Sequence, residues 1–368
     1  MIETTEFIPI SKPSITELEI ANVTEAVRST WVSSLGKFID EFEQDFATFC
    51  NTKYAIAVSN GTVAIQLALS AIGIKHGDEV IVPDFTFIAS ANAVLHVGAI
   101  PVFADIEKDT LCIDPEDIIS KITKRTKAIL PVHVYGHPAE MNRINEIAKE
   151  HNLFVIEDAA EAHGAIYEGK PVGSLSDAAC FSFYGNKNLT TGEGGMITTN
   201  DSKFAALCMH LRDQAMSKEK RYWHDAPGFN YRMTNLQAAI GCAQMSRVTE
   251  LLNKRREIFK WYSEGLSEIQ GSKLNTQRSN ITHAYWMMCF EHKSFDEDSR
   301  EEFMKYLKKH KIDSRPYFYP CSMMPYFEKA NTTNAYAKYM QGINLPTFYD
   351  LKQSEVSYIC KTINSYFK

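Results

Sequence analysis

Long uncharged apolar runs are absent from this chain. No stretch of about 18 such residues occurs, so no membrane span is expected. An excess of basic charge is absent too. There are 39 Lys and Arg against 45 Asp and Glu, a formal net charge of -6, and the cations are scattered apart from short clusters such as Lys218–Arg221 and Lys254–Arg256. That balance removes the electrostatic case for nucleic acid or an anionic membrane as partner. None of the eight cysteines, at 50, 112, 180, 208, 242, 289, 321 and 360, forms a CxxC pair. Several sit in apolar runs (Cys180, Cys289), so buried free thiols in a reducing cytoplasm are expected. The opening "MIETTEFIPISKPS" has no basic region followed by an apolar run, so no secretory signal is expected. Internal repeats and low-complexity linkers are missing as well.

What remains is an ordinary globular composition, 45% hydrophobic and 23% charged, over 368 residues. That length holds two domains or one large one. Short apolar runs alternate with helical patterns between about residues 55 and 200. "YAIAV" (54–58), "EVIVP" (79–83), "IPVFA" (100–104), "AILPVHVYG" (128–136), "LFVIED" (153–158), "AACFSF" (178–183) and "GMITT" (195–199) read as strands buried on both faces. Helical stripes such as Val63–Ile72 and Glu140–His151 lie between them. This alternation predicts an α/β domain with a mostly parallel mixed sheet, which binds ligands at the carboxyl ends of its strands. The stretch 235–268 reads as helical throughout. After it come a strand-like "HAYWMMCF" (283–290), a charged helix near 298–310 and an irregular "DSRPYFYP" (313–320). The expected division is a large domain, 1–250, and a smaller C-terminal α+β domain, 251–368.

Chemistry collects at the strand ends. "SNGT" (59–62) opens a helix, and its amides with the Thr62 hydroxyl suit a phosphate; taken alone, an ordinary N-cap explains it better. Phe87 in "PDFTF" can stack on a flat ring or sit in a core. Asp158 in "EDAAEAHG" can pair with a cationic ring nitrogen or cap a helix, with Glu161 and His163 one turn away. His133 and His137 have helical metal spacing, but Gly136 and Pro138 argue for a loop and no third ligand stands out, so no metal site is expected. In "FSFYGNKNLTTGEGG" (181–195), Lys187 follows a strand end and a Gly185–Asn186 turn, with three glycines soon after; a turn lysine would not need such restriction. A phosphate cradle, an aromatic plate, a carboxylate and a lysine at the ends of one sheet form the set that pyridoxal 5'-phosphate requires. The lysine bonds the aldehyde, and the carboxylate keeps the pyridine protonated as an electron sink.

"EDAAEAHGA" (157–165), "FSFYGNKNLTTGEGGM" (181–196) and "GFNYRMTNLQAAIG" (228–241) resemble the nucleotide-sugar aminotransferase family, of aspartate-aminotransferase-like fold type I among pyridoxal-phosphate enzymes. The likeness runs from "PSITELEIANVTEAVRSTWVSS" to "INLPTFYDL". It implies Lys187 as the Schiff-base lysine and proton carrier, Asp158 at the pyridine nitrogen, and Glu161 near the ring hydroxyl. Gly61, Thr62 and Ser182 would hold the phosphate, and Phe87 would stack on the ring. Asn230 would reach the phosphate of a neighbouring subunit, which implies a homodimer with a shared active site, alone or within a tetramer. Arg232 would meet an anionic group or form a structural ion pair, and Arg315 and Tyr317 would contact substrate. "RYWHDAPGFNYRMTN" (221–235) and "DSRPYFYP" are similar to the GDP-perosamine synthase branch, although Ser322 stands where that branch leads one to expect histidine. The implied reaction moves the amino group of L-glutamate to C4 of GDP-4-keto-6-deoxy-D-mannose, in the cytoplasm, for surface polysaccharide such as O-antigen. The alternatives are a dTDP- or UDP-4-keto-6-deoxy sugar as acceptor, or a pyridoxal-phosphate sugar dehydratase. The dehydrating branch has histidine in place of lysine, so Lys187 argues against it. A nicotinamide-dependent dehydrogenase would need GxGxxG where the chain has "SNGTVAIQ". A cofactor-binding regulator would have no use for the full set.

Overall fold

The buried apolar runs pair side by side. In the computed structural model, which describes residues 6–368, the strands of the first half are β1 (Tyr54–Val58), β2 (Glu79–Pro83), β3 (Ile100–Ala104), β4 (Thr126–Ile129) and β5 (Phe154–Asp158), a short hairpin of β6 (Ile166–Tyr167) and β7 (Lys170–Pro171), then β8 (Ala178–Ser182) and β9 (Gly195–Thr199). Seven of them form one sheet in the order β1-β9-β8-β5-β4-β2-β3. The β3–β2–β4–β5–β8 pairings are parallel, and β9 runs antiparallel to both β8 and β1. β1 therefore points the same way as β8, and six carboxyl ends meet at one edge. Gly195 stands opposite both Val58 and Ser182, which brings the loops after β1 and β8 together.

Helices cover both faces, as continuous apolar strands require. α1 (Glu17–Arg28) and α2 (Lys37–Phe49) precede the sheet, while α3 (Gly61–Ala71), α4 (Ala89–His96), α5 (Pro115–Lys121), α6 (Met141–His151) and α7 (Ser202–Arg212) alternate with its strands. α3, α4 and α7 bury Ala64, Leu67, Val94 and Cys208 against one face. Phe42 and Phe46 of α2 pack with Phe181 and Phe183 on the other.

Two expected elements are broken. The run 128–136 is a strand only as far as Ile129; Pro131 has no N–H to extend the ladder, and Val134–Gly136 coils into a 3-10 turn with Tyr135 at φ 54°. The helical stretch 235–268 is two helices, α8 (Asn235–Ser246) and α9 (Val248–Gly265). They part at Arg247, whose guanidinium meets Glu19 at 3.2 Å and Glu250 at 3.5 Å.

Beyond α9 lies a second sheet. Its strands are β10 (Ser272–Leu274), β12 (Met288–His292), β13 (Arg315–Pro316) and β14 (Gly342–Leu345), in the order β10-β12-β14-β13, and β11 (Ile281–Thr282) crosses back to pair with β6. α10 (Glu297–Lys309), α11 (Thr333–Gln341) and α12 (Gln353–Tyr366) complete the chain. The expected strand at 283–290 begins only at Met288, because Tyr285 turns the backbone to φ 49°. That turn leaves Trp286 free to face the large sheet. Among the described residues no helix is long and apolar enough to cross a membrane.

Candidate active site

The first wall of the site is the start of α3. Asn60 caps the helix, its Oδ1 accepting the Val63 amide at 3.0 Å, so the Gly61 and Thr62 amides are left facing outward at the positive end of the helix. A side-chain carbon at Gly61 would lie 2.7 Å from Ser182 Cβ, and one at Gly195 would lie 2.4 Å from the Asn60 carbonyl oxygen. These glycines let two strand-end loops close into a cradle without filling it.

Asp158 ends β5 and is buried. Its Oδ2 accepts the Ser90 hydroxyl at 2.6 Å and its Oδ1 accepts the Ala160 amide at 3.1 Å. Ser90 lies in the first turn of α4 and also touches the Thr86 hydroxyl at 3.2 Å. The carboxylate is thus fixed in direction by the loop that follows β2. Glu161, one turn on, accepts the Tyr135 amide on Oε2 at 2.6 Å. Burial raises its carboxyl to about 7, with the nearby Lys187 charge pulling the other way. Lys187 sits on a turn closed by its own amide to the Tyr184 carbonyl at 2.9 Å. Burial lowers its amine below the ordinary lysine range, and Glu161 and Asp158 oppose that shift.

Gly61, Thr62, Phe87, Asp158, Glu161, Ser182 and Lys187 all line one cavity of about 720 Å³. Ser90, Tyr184, Asn186 and Trp286 line it too, and the sequence reading did not single them out. Phe87 is 57% exposed, at the mouth rather than in the core. A groove of about 780 Å³ at the opposite end of the sheet, with Lys75, Lys124 and Lys127, carries none of this chemistry.

Other candidates stand elsewhere. Asn230 and Arg232 adjoin each other outside the cavity: Arg232 pairs with Asp213 at 2.6 Å and donates to Asn230 Oδ1 at 2.7 and 3.1 Å. Arg315 is exposed and bound to Asp313 at 2.5 Å. Tyr317 is 1% exposed, packed between Phe85 and Tyr135, and lines no part of the cavity. Ser322 is equally buried; its amide and hydroxyl both donate to Asp84 at 2.7 Å, so it pins its own segment to the end of β2 and does not line the cavity. His133 and His137 have structural partners: His133 Nδ1 accepts the Ala139 amide and Nε2 faces Glu157 at 3.0 Å, while His137 Nδ1 meets the Pro138 carbonyl at 2.7 Å. His163 is buried among Phe46, Phe181 and Phe183, with its titration pushed down to about 3 by burial.

A half-buried lysine beside two carboxylates, next to an anion cradle and an exposed phenyl ring, fits a phosphorylated pyridine aldehyde. The sequence profile of the DegT/DnrJ/EryC1/StrS aminotransferase family matches residues 13–364. The chain belongs to that family. This aminotransferase is 44% identical to the GDP-perosamine synthase of Escherichia coli O157:H7, over 98% of this chain and 99% of that one. It is 46% identical to the GDP-perosamine synthase of Caulobacter vibrioides, over 97% of each. Among solved structures it is similar to the putative sugar aminotransferase Spr1654 of Streptococcus pneumoniae in its PMP form, with a TM-score of 0.93 at 28% identity, covering 98% of this chain and 97% of that one. The fold is that of the pyridoxal-phosphate aminotransferases, and pyridoxal 5'-phosphate is the cofactor of this enzyme.

Proposed function

We propose that this enzyme transfers the amino group of L-glutamate to C4 of GDP-4-keto-6-deoxy-D-mannose, yielding GDP-perosamine for a surface polysaccharide such as O-antigen. The observation that carries the choice of sugar is the 44–46% identity, over nearly the whole chain, to GDP-perosamine synthases. The observation that carries the chemistry is the convergence of Lys187 and Asp158 on one cavity.

When bound, the cofactor supplies an electron sink for carbanion chemistry next to nitrogen. Gly61, Thr62 and Ser182 would hold its phosphate, and Phe87 would cover one face of its ring. Asp158, aimed by Ser90 and the Ala160 amide, would keep a proton at the ring nitrogen. Glu161 would serve the ring hydroxyl. Lys187 would hold the cofactor's aldehyde carbon, and its amine, when free, would carry a proton from the donor carbon and deliver one to C4 of the sugar. A lysine held below its ordinary range exchanges that proton more readily near neutral pH.

In this proposal the cofactor domain is residues 1–250, which contain the seven-stranded sheet, and the smaller domain is 251–368, which contains the four-stranded one. The enzyme works as a homodimer in which Asn230 of a second copy reaches the phosphate. The test is a panel of GDP-, dTDP- and UDP-4-keto-6-deoxy sugars with L-glutamate, read by mass spectrometry. The GDP sugar is expected to win by about 100-fold in kcat/KM, roughly 2.7 kcal/mol of discrimination. A preference for the dTDP sugar would keep the aminotransferase and discard the perosamine assignment.

A further inference from the structure

Among the described residues, Lys187 Nζ makes no hydrogen bond and no ion pair, yet it is not without a neighbour. It lies 3.8 Å from the centroid of the Trp286 ring. That indole is held on several sides. It is 5% exposed, its Nε1 donates to the Asn186 carbonyl at 3.0 Å, and its backbone amide donates to the Tyr135 carbonyl at 3.1 Å. It stacks near-parallel to Tyr135 and Phe318, with interplanar angles of 24° and 25°. The bond to Asn186 ties it to the residue just before the lysine, so ring and amine keep their relative position.

An indole face attracts an ammonium but has little preference for a neutral amine. It also has no lone pair that grips one N–H in a fixed direction. A carboxylate at the same place would hold the proton tightly. A ring face instead leaves the N–H bonds free to turn toward a reacting carbon. We propose that Trp286 is the platform on which Lys187 rests whenever its amine is not bonded to the cofactor, a positioning residue for the proton-carrying step. This rests on the assignment of Lys187 as the cofactor lysine. The other titratable groups that share the field of the amine are Glu161, Asp158 and His163. Both carboxylates favour the ammonium, and the ring face adds to them.

The contact is tested first without cofactor. The fluorescence of the cofactor-free enzyme is followed against pH and compared with Lys187→Met. Trp223 and Trp261 also lie near lysines, Lys220 and Lys254, so the difference between the two proteins isolates Trp286. A transition present in the parent and lost in Lys187→Met is expected; identical titrations would overturn the contact. The role is tested in the loaded enzyme. Trp286→Leu is expected to slow single-turnover amino transfer from L-glutamate by about tenfold. It is also expected to move the pH profile of that step to lower pH, while Trp286→Phe, which keeps a ring face, recovers most of the rate. Leu and Phe variants with equal rates and unshifted profiles would mean packing alone and would overturn the proposal. An imine absorbance that persists when Lys187→Met is loaded with pyridoxal phosphate would instead overturn the assignment of Lys187, a result the cofactor-free titration separates from failure of the contact.

Discussion

Asp158 and Ser90 show how a single side chain can matter through another. The carboxylate has two oxygens and two donors, the Ser90 hydroxyl at 2.6 Å and the Ala160 amide at 3.1 Å. Asp158→Asn keeps the shape but removes the charge that would protonate the pyridine, so kcat is expected to fall by several orders of magnitude with the cofactor still bound. Ser90→Ala removes only one of the two restraints, and a loss of about tenfold, roughly 1.4 kcal/mol, is expected. Steady-state kinetics that rank the two variants the other way would move the aiming role away from Ser90. Glu161 makes a different prediction. Burial lifts its carboxyl from an ordinary 4.5 to about 7, so the folded protein binds more protons than the unfolded one between those values. Stability of the cofactor-free enzyme should therefore fall as pH rises through that window. Lys187 has the opposite sign: its lowered amine makes stability rise with pH at the alkaline end, up to the ordinary lysine range. Glu161→Gln should flatten the acid-side slope in a series of thermal melts and, by removing a carboxylate that favours the ammonium, widen the alkaline window set by Lys187. An unchanged slope below pH 7 would mean that Glu161 is charged in the free enzyme.

At the scale of elements, the cradle depends on how close α3 comes to β8. Gly61→Ala places a carbon 2.7 Å from Ser182 Cβ, and the helix start must move away. Affinity for pyridoxal phosphate is expected to drop about tenfold or more, because the helix-end amides lose their aim. Gly185→Ala, in open space on the neighbouring loop, is the control and should leave affinity unchanged; equal affinities for both variants, by fluorescence titration, would place the phosphate elsewhere. The elements behind this cradle were legible in the sequence. Buried parallel strands are continuous apolar runs, and polar residues follow the ends of β1, β5 and β8, so Asp158, Ser182 and Lys187 could be proposed without tertiary information; all three line one cavity. Partners from distant segments could not. Ser90 meets Asp158 across 68 positions, and Trp286 meets Asn186 across 100, with nothing in "FIASAN" or "HAYWMM" to announce either contact. The run 283–290 even misled as a strand, since the turn at Tyr285 that frees Trp286 is set by tertiary packing. Tyr317 misled in the other direction. The resemblance implies it as a substrate contact, but its ring fills the space between Phe85 and Tyr135.

For the whole molecule, the single chain leaves large apolar side chains exposed at the cavity mouth and elsewhere. Phe87 and Tyr184 are more than half exposed at the mouth, and Trp31, Leu35, Tyr222 and Trp223 are exposed at 54% to 77%. In the proposed homodimer these side chains are the candidates for the contact between copies. In that proposal Asn230 serves the phosphate of the second copy. Arg232 occupies its Oδ1, so its amide hydrogens point away from that pair and remain free to donate to an anion. If each site takes Lys187 from one chain and Asn230 from the other, two crippled enzymes should repair each other. Lys187→Ala removes the amine, and Asn230→Asp sets a negative charge against the phosphate. Each homodimer should be nearly inactive at low cofactor concentration. In a mixed dimer one site carries both defects and the other carries neither. Reassortment by unfolding and refolding an equal mixture makes about half of the dimers mixed, each with one intact site, so about a quarter of the parent activity should return. If Asn230 instead serves the site of its own chain, every site in the mixture keeps one defect and no activity returns. Light scattering of the same samples must give two or four times the mass of the chain; a monomer with full activity would remove the second copy from the mechanism altogether.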